Sequence, residues 1–198
     1  MAGSCTVPAL LIAFSYVLGT FPSAILIAKA NGIDISSFGS GNPGASNVTR
    51  ALGWRKGVWV YALDALKGAI PAALALAVDG RPLAYWCGAA AILGHMFPVF
   101  RKFRGGKGVA TGSGVLVVLF PLLFVVAVAT WWVITKLTGK AAIGSIAAAV
   151  LVPIGLAVSG APAWEFIAVL LLSGLVALRH AGNVARMVRR EEHTLGEK

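Results

Sequence analysis

Charged side chains are scarce in this chain of 198 residues: they make up 12% of it, whereas hydrophobic residues make up 58%. Soluble globular domains carry about 25% charged residues. The composition therefore excludes an ordinary soluble domain and predicts an integral membrane protein. The two cysteines, Cys5 and Cys87, match no metal-binding spacing and give no disulfide framework, and whether they bond to each other stays open.

Acidic residues number only seven, and we expect Asp34, Glu191, Glu192 and Glu197 to face the cytoplasm. So few carboxylates argue against a two-metal site, and we expect neither a metal nor a cofactor. The G-x-S-x-G and H-E-x-x-H motifs of hydrolases are also missing. No histidine is followed five residues later by the aspartate that acyl-CoA-dependent acyltransferases use.

Apolar stretches near the ~20 residues that cross a bilayer predict the membrane helices. The first stretch lacks a basic n-region and a cleavage site, so we expect a retained helix rather than a signal peptide. The stretch Gly108–Leu137 is ambiguous, because as one helix it would be ~45 Å long against a ~30 Å hydrocarbon core. Pro121 can end a helix at Phe120. The choice is between six and seven spans.

Lysine and arginine decide between these counts. With seven spans and the N-terminus outside, the basic groups at 50–56, 101–107, 136–140 and 179–198 are all cytoplasmic, and only Arg81 lies in an outer loop. Six spans would place the last two groups opposite the first two. Because cytoplasmic loops are enriched in Lys and Arg, we predict seven spans with the C-terminus in the cytoplasm.

The predicted protein is therefore an all-α integral membrane protein whose residues 1–198 form a single polytopic membrane domain. We place its helices at roughly 8–30, 57–78, 82–100, 108–120, 121–137, 141–159 and 163–180. The net charge of +10 is then mainly a topological feature, and it argues little for nucleic-acid binding.

Three segments on the predicted inner face concentrate polar side chains. In "FRGGKGVAT", Gly105, Gly106 and Gly108 surround Lys107 as a helix begins. Glycine lets backbone N–H groups approach a ligand, and a helix N-terminus favours an oxyanion such as phosphate. A tight turn with a topological lysine explains this segment equally well, and it is not a P-loop.

The second segment, "SGNPGASNVTR" at 40–50, supplies Ser40, Asn42, Ser46, Asn47 and Arg50. Arginine binds phosphate through two N–H groups, while hydroxyls and amides add neutral donors. A Pro-Gly turn before a helix capped by Ser46 or Asn47 is the simpler interpretation. That interpretation leaves most of the donors unused.

The third segment, "RHAGNVARMVRREEH", places His180 and Asn183 on one face if the last helix continues past Leu178. His180 is a candidate general base or a simple hydrogen-bond donor. For His95, on an apolar helix, we expect a structural role. Asp64 and Lys67 lie within the second predicted span, where we expect a structural ion pair.

These three segments resemble the cytoplasmic motifs of the bacterial acyl-phosphate-dependent glycerol-3-phosphate acyltransferases. The flanking "YVLGTFPSAILIAKANGIDI" at 16–35 and "DALKG" at 64–68 are similar as well, so the resemblance runs from about Tyr16 to Glu192. It implies a seven-helix bacterial inner-membrane enzyme with its active site on the cytoplasmic face. The implied reaction moves a fatty acyl group from acyl phosphate to the 1-hydroxyl of glycerol 3-phosphate, giving lysophosphatidic acid and phosphate.

The resemblance and the residue chemistry together predict a set of site residues. The catalytic candidates are His180, Asn183, Ser40 and Arg50, and the substrate- or phosphate-binding candidates are Asn42, Ser46, Asn47, Gly105, Gly106, Lys107, Gly108, Thr111 and Ser145. Two positions depart from the family pattern. Ser46 stands where threonine is usual, and Ala142 replaces one serine of a segment in which Ser145 retains the other.

We expect direct attack by the glycerol 3-phosphate hydroxyl, with His180 or a substrate phosphate oxygen accepting the proton. Membrane lipids are the expected surroundings, and no obligate protein partner is evident. One alternative is a small transporter of an anionic solute or lipid, which would need polar groups at mid-membrane. Another is a structural membrane subunit, which would not need phosphate-binding glycines.

Overall fold

The structure is a computed structural model that describes residues 6–195, so Cys5, Glu197 and any Cys5–Cys87 bond lie outside the described residues. All regular secondary structure in this range is helical. A 3₁₀ turn spans Val99–Arg101, and the α-helices are α1 (Thr6–Gly19), α2 (Ser23–Ala30), α3 (Ala45–Leu52), α4 (Trp54–Met96), α5 (Val109–Leu119), α6 (Pro121–Thr138), α7 (Ala141–Val158), α8 (Ala163–Arg179) and α9 (Ala181–Val188).

The helices divide between two compact units. The N-terminal unit ends at Pro121 and contains α1 to α5, and the C-terminal unit begins at Leu122 and contains the rest of α6 together with α7 to α9.

Four segments of the described chain are long and apolar enough to cross a membrane, or five if the bent pair α8–α9 is one span. The four are Thr6–Ala30, Trp54–Arg101, Pro121–Thr138 and Ala141–Val158. Five spans are two fewer than the seven predicted. The segment Trp54–Arg101, 48 residues long, is counted once, and α5, with 11 residues, is too short to be counted.

Helix α4 contains a break where the sequence separates two spans. Asp79 and Gly80 have non-helical backbone angles, with φ of −147° and +73°, and Pro82 follows them. A continuous helix of 43 residues would be ~65 Å long, about twice the hydrocarbon core of a bilayer. The break therefore makes two helical halves, each near the length of one span.

The predicted helix at 8–30 is interrupted. Helix α1 ends at Gly19 and α2 begins at Ser23, because Pro22 has no N–H to donate and disfavours helical geometry at the residue before it. The Thr20 hydroxyl donates to the Val17 carbonyl at 2.6 Å and helps to close the first helix.

Small residues bring the helices of the N-terminal unit into backbone contact. A Cβ on Gly19 of α1 would lie 2.2 Å from the Ala91 carbonyl oxygen of α4. A Cβ on Gly114 of α5 would lie 1.8 Å from the carbonyl oxygen of Ala65. Such close approach replaces the hydrophobic driving force that membrane helices lack. These contacts hold α1 and α5 against α4.

In the C-terminal unit, α6 and α7 are joined by a polar contact as well as by packing. The Trp131 indole donates to the Ser145 hydroxyl at 3.2 Å, and Gly144 lies against the Trp131 backbone. Helix α8 packs on α7 and is bent by 47° from α9. The chain after α9 returns to the α6–α7 loop, where Leu195 N donates to the Gly139 carbonyl at 2.7 Å.

Candidate active site

The segment 40–50 folds as a turn followed by α3, but neither predicted cap is used. The N-cap residue is Gly44, and no side chain caps the helix. Asn47 lies inside α3, 1% exposed. Its amide donates to the Phe38 carbonyl at 2.9 Å and to the Ile35 carbonyl at 3.3 Å, and its oxygen accepts from Ser40 N at 3.3 Å. Asn47 thus holds the loop that carries Ser40.

The other candidate residues of this segment, Ser40, Asn42, Ser46 and Arg50, are half-buried rather than enclosed. The Ser40 hydroxyl accepts from Asn42 N at 3.4 Å. Ser46 and Arg50 are one helical turn apart on α3, so they share a face. The segment therefore presents hydroxyl and guanidinium donors beside a structured loop.

A turn precedes this loop. The hydroxyl of Ser36 donates to the Asp34 carboxylate, and Ser36 N donates to the same oxygen at 2.9 Å. Both hydrogen bonds lower the pKa of Asp34, and the bond from the Ser36 hydroxyl has the larger effect. The carboxylate is thereby engaged within its own turn.

The glycine-rich segment lies over the end of α4. Gly105 N donates to the Met96 carbonyl at 3.2 Å and Gly106 N to the His95 carbonyl at 3.1 Å. These N–H groups therefore donate to carbonyl groups of the protein, whereas the sequence analysis predicted that they bind a phosphate. Added Cβ atoms on Gly105 and Gly106 would lie 2.1 Å from His95 O and His95 Nε2, respectively. Close packing on His95 is therefore what requires glycine at both positions.

Helix α5 begins directly after Lys107 and Gly108. Gly108 has φ of +81°, the left-handed region that favours glycine, and it is the N-cap of α5. The first N–H groups of a helix have no acceptor within it, so those at the start of α5 remain donors beside Lys107. Thr111 is fully buried in this helix, and its hydroxyl has no hydrogen-bond partner among residues 6–195.

Both predicted segments of the N-terminal unit contribute to one polar pocket. Pro43 comes from the first segment and Gly106 from the second. The pocket is further lined by Gly19, Thr20, Phe21, Pro22, Ser23, Ala24, Ile25, Asp64, Lys67, His95, Pro98 and Arg101. Two cationic side chains, Lys67 and Arg101, thus adjoin the place where the segments meet.

The predicted Asp64–Lys67 ion pair is confirmed, with Lys67 Nζ 2.5 Å from Asp64 Oδ1. It is part of a larger cluster that the sequence did not predict. Lys67 also donates to the Phe21 carbonyl and, at 3.0 Å, to the Ser23 hydroxyl, which donates to Asp64. His95 Nδ1 lies 3.8 Å from Asp64 Oδ1.

In the C-terminal unit, His180 is the bend between α8 and α9 and is 2% exposed. Its Nδ1 lies 2.8 Å from the Val176 carbonyl oxygen. A carbonyl only accepts, so Nδ1 carries the proton, and in the neutral ring Nε2 is the basic nitrogen. Asn183 N donates to the His180 carbonyl at 2.8 Å, which places the two residues on consecutive turns.

Glu192 contacts the candidate site residue Asn183, a contact that the sequence analysis did not predict. It is buried, accepting from Asn183 Nδ2 at 2.7 Å and from Arg186 Nε at 2.9 Å. The chain reverses at Arg190, which has φ of +62°, to bring this carboxylate back to α9. No helical spacing relates Glu192 to Asn183, so the sequence pattern carried no indication of the contact.

Ser145 has structural partners at both ends of its hydroxyl. It donates to the Ala141 carbonyl at 2.9 Å and accepts from Trp131. Its phosphate contact stays a prediction, as do the binding roles of the other candidate residues. Among residues 6–195, no three His, Cys, Asp or Glu side chains are grouped so as to hold a metal ion.

Fold and site together define a class of protein. It is an all-α integral membrane protein with donor-rich loops and a buried histidine beside an amide. Residues 9–190 match the family described as glycerol-3-phosphate acyltransferase. A glycerol-3-phosphate acyltransferase of Bacillus velezensis is 43% identical over 93% of this chain and 95% of its own.

Two solved structures of PlsY (YgiH), an integral membrane glycerol 3-phosphate acyltransferase, are also similar, each at 38% identity over 96% of both chains. The glycerol 3-phosphate form superposes with a TM-score of 0.91 and the lysophosphatidic acid form with 0.89. The chain belongs to the glycerol-3-phosphate acyltransferase family. It is an acyltransferase, and the comparisons support this function over the transporter alternative.

Proposed function

We propose that this chain transfers a fatty acyl group from acyl phosphate to the 1-hydroxyl of glycerol 3-phosphate, giving lysophosphatidic acid and phosphate. The observation that carries the proposal is the similarity over nearly the whole chain to PlsY in its glycerol 3-phosphate and lysophosphatidic acid forms. The first ligand is the acceptor of this reaction and the second is its acylated product. Acyl phosphate as the donor rests on the resemblance of the three polar segments.

The proposed location is the bacterial inner membrane, with seven spans, the N-terminus outside and the active site on the cytoplasmic face. The positive-inside distribution of Lys and Arg supports this topology. So do the break at Asp79–Gly80 and the helix boundary at Pro121, which fall where the seven-span arrangement needs them.

Arg50 and Lys107 are the proposed phosphate-binding cations. Each belongs to a segment that contributes to the polar pocket of the N-terminal unit, and Lys107 lies two residues before the start of α5. A guanidinium and an ammonium beside helix N–H donors favour binding of two phosphorylated substrates that repel each other. Ser40, Asn42 and Ser46 would add neutral donors.

The proposed chemistry is direct attack without a covalent enzyme intermediate. The 1-hydroxyl oxygen forms the ester bond to the acyl carbon, and the bond from that carbon to the phosphate oxygen breaks. Phosphate leaves with the electron pair. The hydroxyl proton passes to His180 Nε2, which is basic because Nδ1 donates to Val176. Asn183 would orient glycerol 3-phosphate.

The test uses the purified protein in detergent, supplied with acyl phosphate and glycerol 3-phosphate, with release of phosphate followed over time. Arg50→Ala and Lys107→Ala should each lower kcat/KM by about ten- to a hundredfold, the effect of losing one charge-assisted contact. The exposed Arg55→Ala and Lys56→Ala are the matched controls. Unchanged kinetics in both Arg50→Ala and Lys107→Ala would contradict the phosphate-binding roles.

The base and the donor are tested separately. His180→Gln should lower kcat by about a hundredfold or more if His180 accepts the proton. Near-full turnover would instead assign the proton to a substrate phosphate oxygen. Replacing acyl phosphate by acyl-CoA should abolish formation of lysophosphatidic acid, and efficient use of acyl-CoA would overturn the proposed donor.

A further inference from the structure

A buried polar cluster lies beneath the glycine-rich segment, and the proposed reaction does not use it. At its centre, the Lys67 ammonium has three acceptors: the Asp64 carboxylate at 2.5 Å, the Ser23 hydroxyl at 3.0 Å and the Phe21 carbonyl. An ammonium has three N–H donors, so each has an acceptor. Asp64 and Lys67 are 1% and 4% exposed, and their charges are therefore neutralised inside the fold.

This cluster joins chain segments that are far apart in sequence. Phe21 lies in the interruption between α1 and α2 and Ser23 is the first residue of α2, whereas Asp64 and Lys67 are in the first half of α4. Buried ion pairs contribute little net stability compared with well-packed apolar residues. An ion pair with so many directed contacts therefore indicates that it fixes the relative positions of these segments. Apolar packing would fix those positions less specifically.

His95 connects the cluster to the glycine-rich segment. One ring nitrogen, Nδ1, lies 3.8 Å from Asp64 Oδ1, and the other, Nε2, lies 2.1 Å from the position that a Cβ on Gly106 would occupy. The His95 carbonyl also accepts from Gly106 N at 3.1 Å. The imidazole thus lies between the carboxylate and the backbone that leads directly to Lys107.

We propose that His95 is a positioning residue for Lys107. The Asp64 carboxylate lies beside one edge of the imidazole, and the opposite edge limits how closely Gly106 can approach the end of α4. Any displacement of Gly106 moves the adjacent Lys107 and the N-terminus of α5 with it. This inference rests on the proposed function, in which Lys107 holds a substrate phosphate.

The test is a double-mutant cycle between His95 and Lys107 in the full-length protein, with acyl phosphate and glycerol 3-phosphate as substrates. We expect His95→Ala to raise the KM of the same phosphate substrate that Lys107→Ala affects, by about tenfold, with a smaller change in kcat. The two substitutions together should lower kcat/KM no further than Lys107→Ala alone, because the positioned group is then absent. Independent effects that multiply would overturn the proposal.

Two further variants keep the test informative. Gly106→Ala places a methyl group against His95 Nε2 and should reproduce the rise in KM, whereas Cys87→Ala, a buried truncation elsewhere in α4, should leave KM unchanged. If His95→Ala does not fold, His95→Gln takes its place in the cycle. Loss of kcat with unchanged KM in the His95 and Gly106 variants would also contradict the proposal. Unchanged kinetics in Lys107→Ala would instead contradict the phosphate-binding role of Lys107, and a parent protein that forms no lysophosphatidic acid from these substrates would contradict the proposed function.

Discussion

Replacing Asp64 by asparagine tests how much the buried ion pair contributes to the fold. Asp64 is 1% exposed and accepts from both Lys67 and Ser23. Asparagine keeps the volume and removes the charge, so the Lys67 ammonium stays buried without its anion. Removing one partner of a buried pair costs about 3–5 kcal/mol. For a chain of this length, that is a fall of about 6–20 °C in melting temperature.

Thermal unfolding in detergent, followed by tryptophan fluorescence, measures this fall. The double variant Asp64→Asn/Lys67→Met should recover most of the lost melting temperature, because replacing both members of a buried ion pair by uncharged residues changes the stability little. The exposed Glu191→Gln is the matched control, expected within about 0.5 kcal/mol of the parent. A double variant that melts below Asp64→Asn, or an Asp64→Asn variant that melts like the parent, would refute the argument.

Two further predictions concern contacts seen only in the folded chain. Glu192→Ala removes the acceptor of Asn183 and Arg186, so limited trypsin digestion should cleave near residues 189–190 several times faster than in the parent. Each lost charge-assisted bond there costs about 1.5–3 kcal/mol. Gly114→Ala places a methyl group 1.8 Å from a backbone oxygen of α4 and should destabilise the protein by about 1–3 kcal/mol, measured by thermal unfolding. Gly174→Ala, whose added Cβ meets nothing within 4 Å, is its control and should be neutral or stabilising.

Each of these two predictions would be contradicted by one result. Equal digestion rates for Glu192→Ala and the parent would show that the carboxylate does not hold the chain after α9. Equal melting temperatures for Gly114→Ala and Gly174→Ala would show that α5 can move away from α4 at little cost.

Local patterns in the sequence determined much of this protein. Apolar length and scarcity of charge predicted a helical membrane protein, and Pro121 predicted the boundary between α5 and α6. The spacing of Asp64 and Lys67 predicted their pair, and the glycines around Lys107 predicted a turn that opens a helix. Each of these features depends on residues within a few turns of one another, and their geometry follows from the helix itself.

Only the tertiary structure decided which donors remain for substrates. The amide of Asn47 and the N–H groups of Gly105 and Gly106 have partners within the fold, although their sequence context suggested ligand contacts. The contact of Ser23 with Asp64 and that of Glu192 with Asn183 bring together residues that no local period relates. A buried polar group takes the partner that packing brings to it, and chain neighbours alone do not specify that partner.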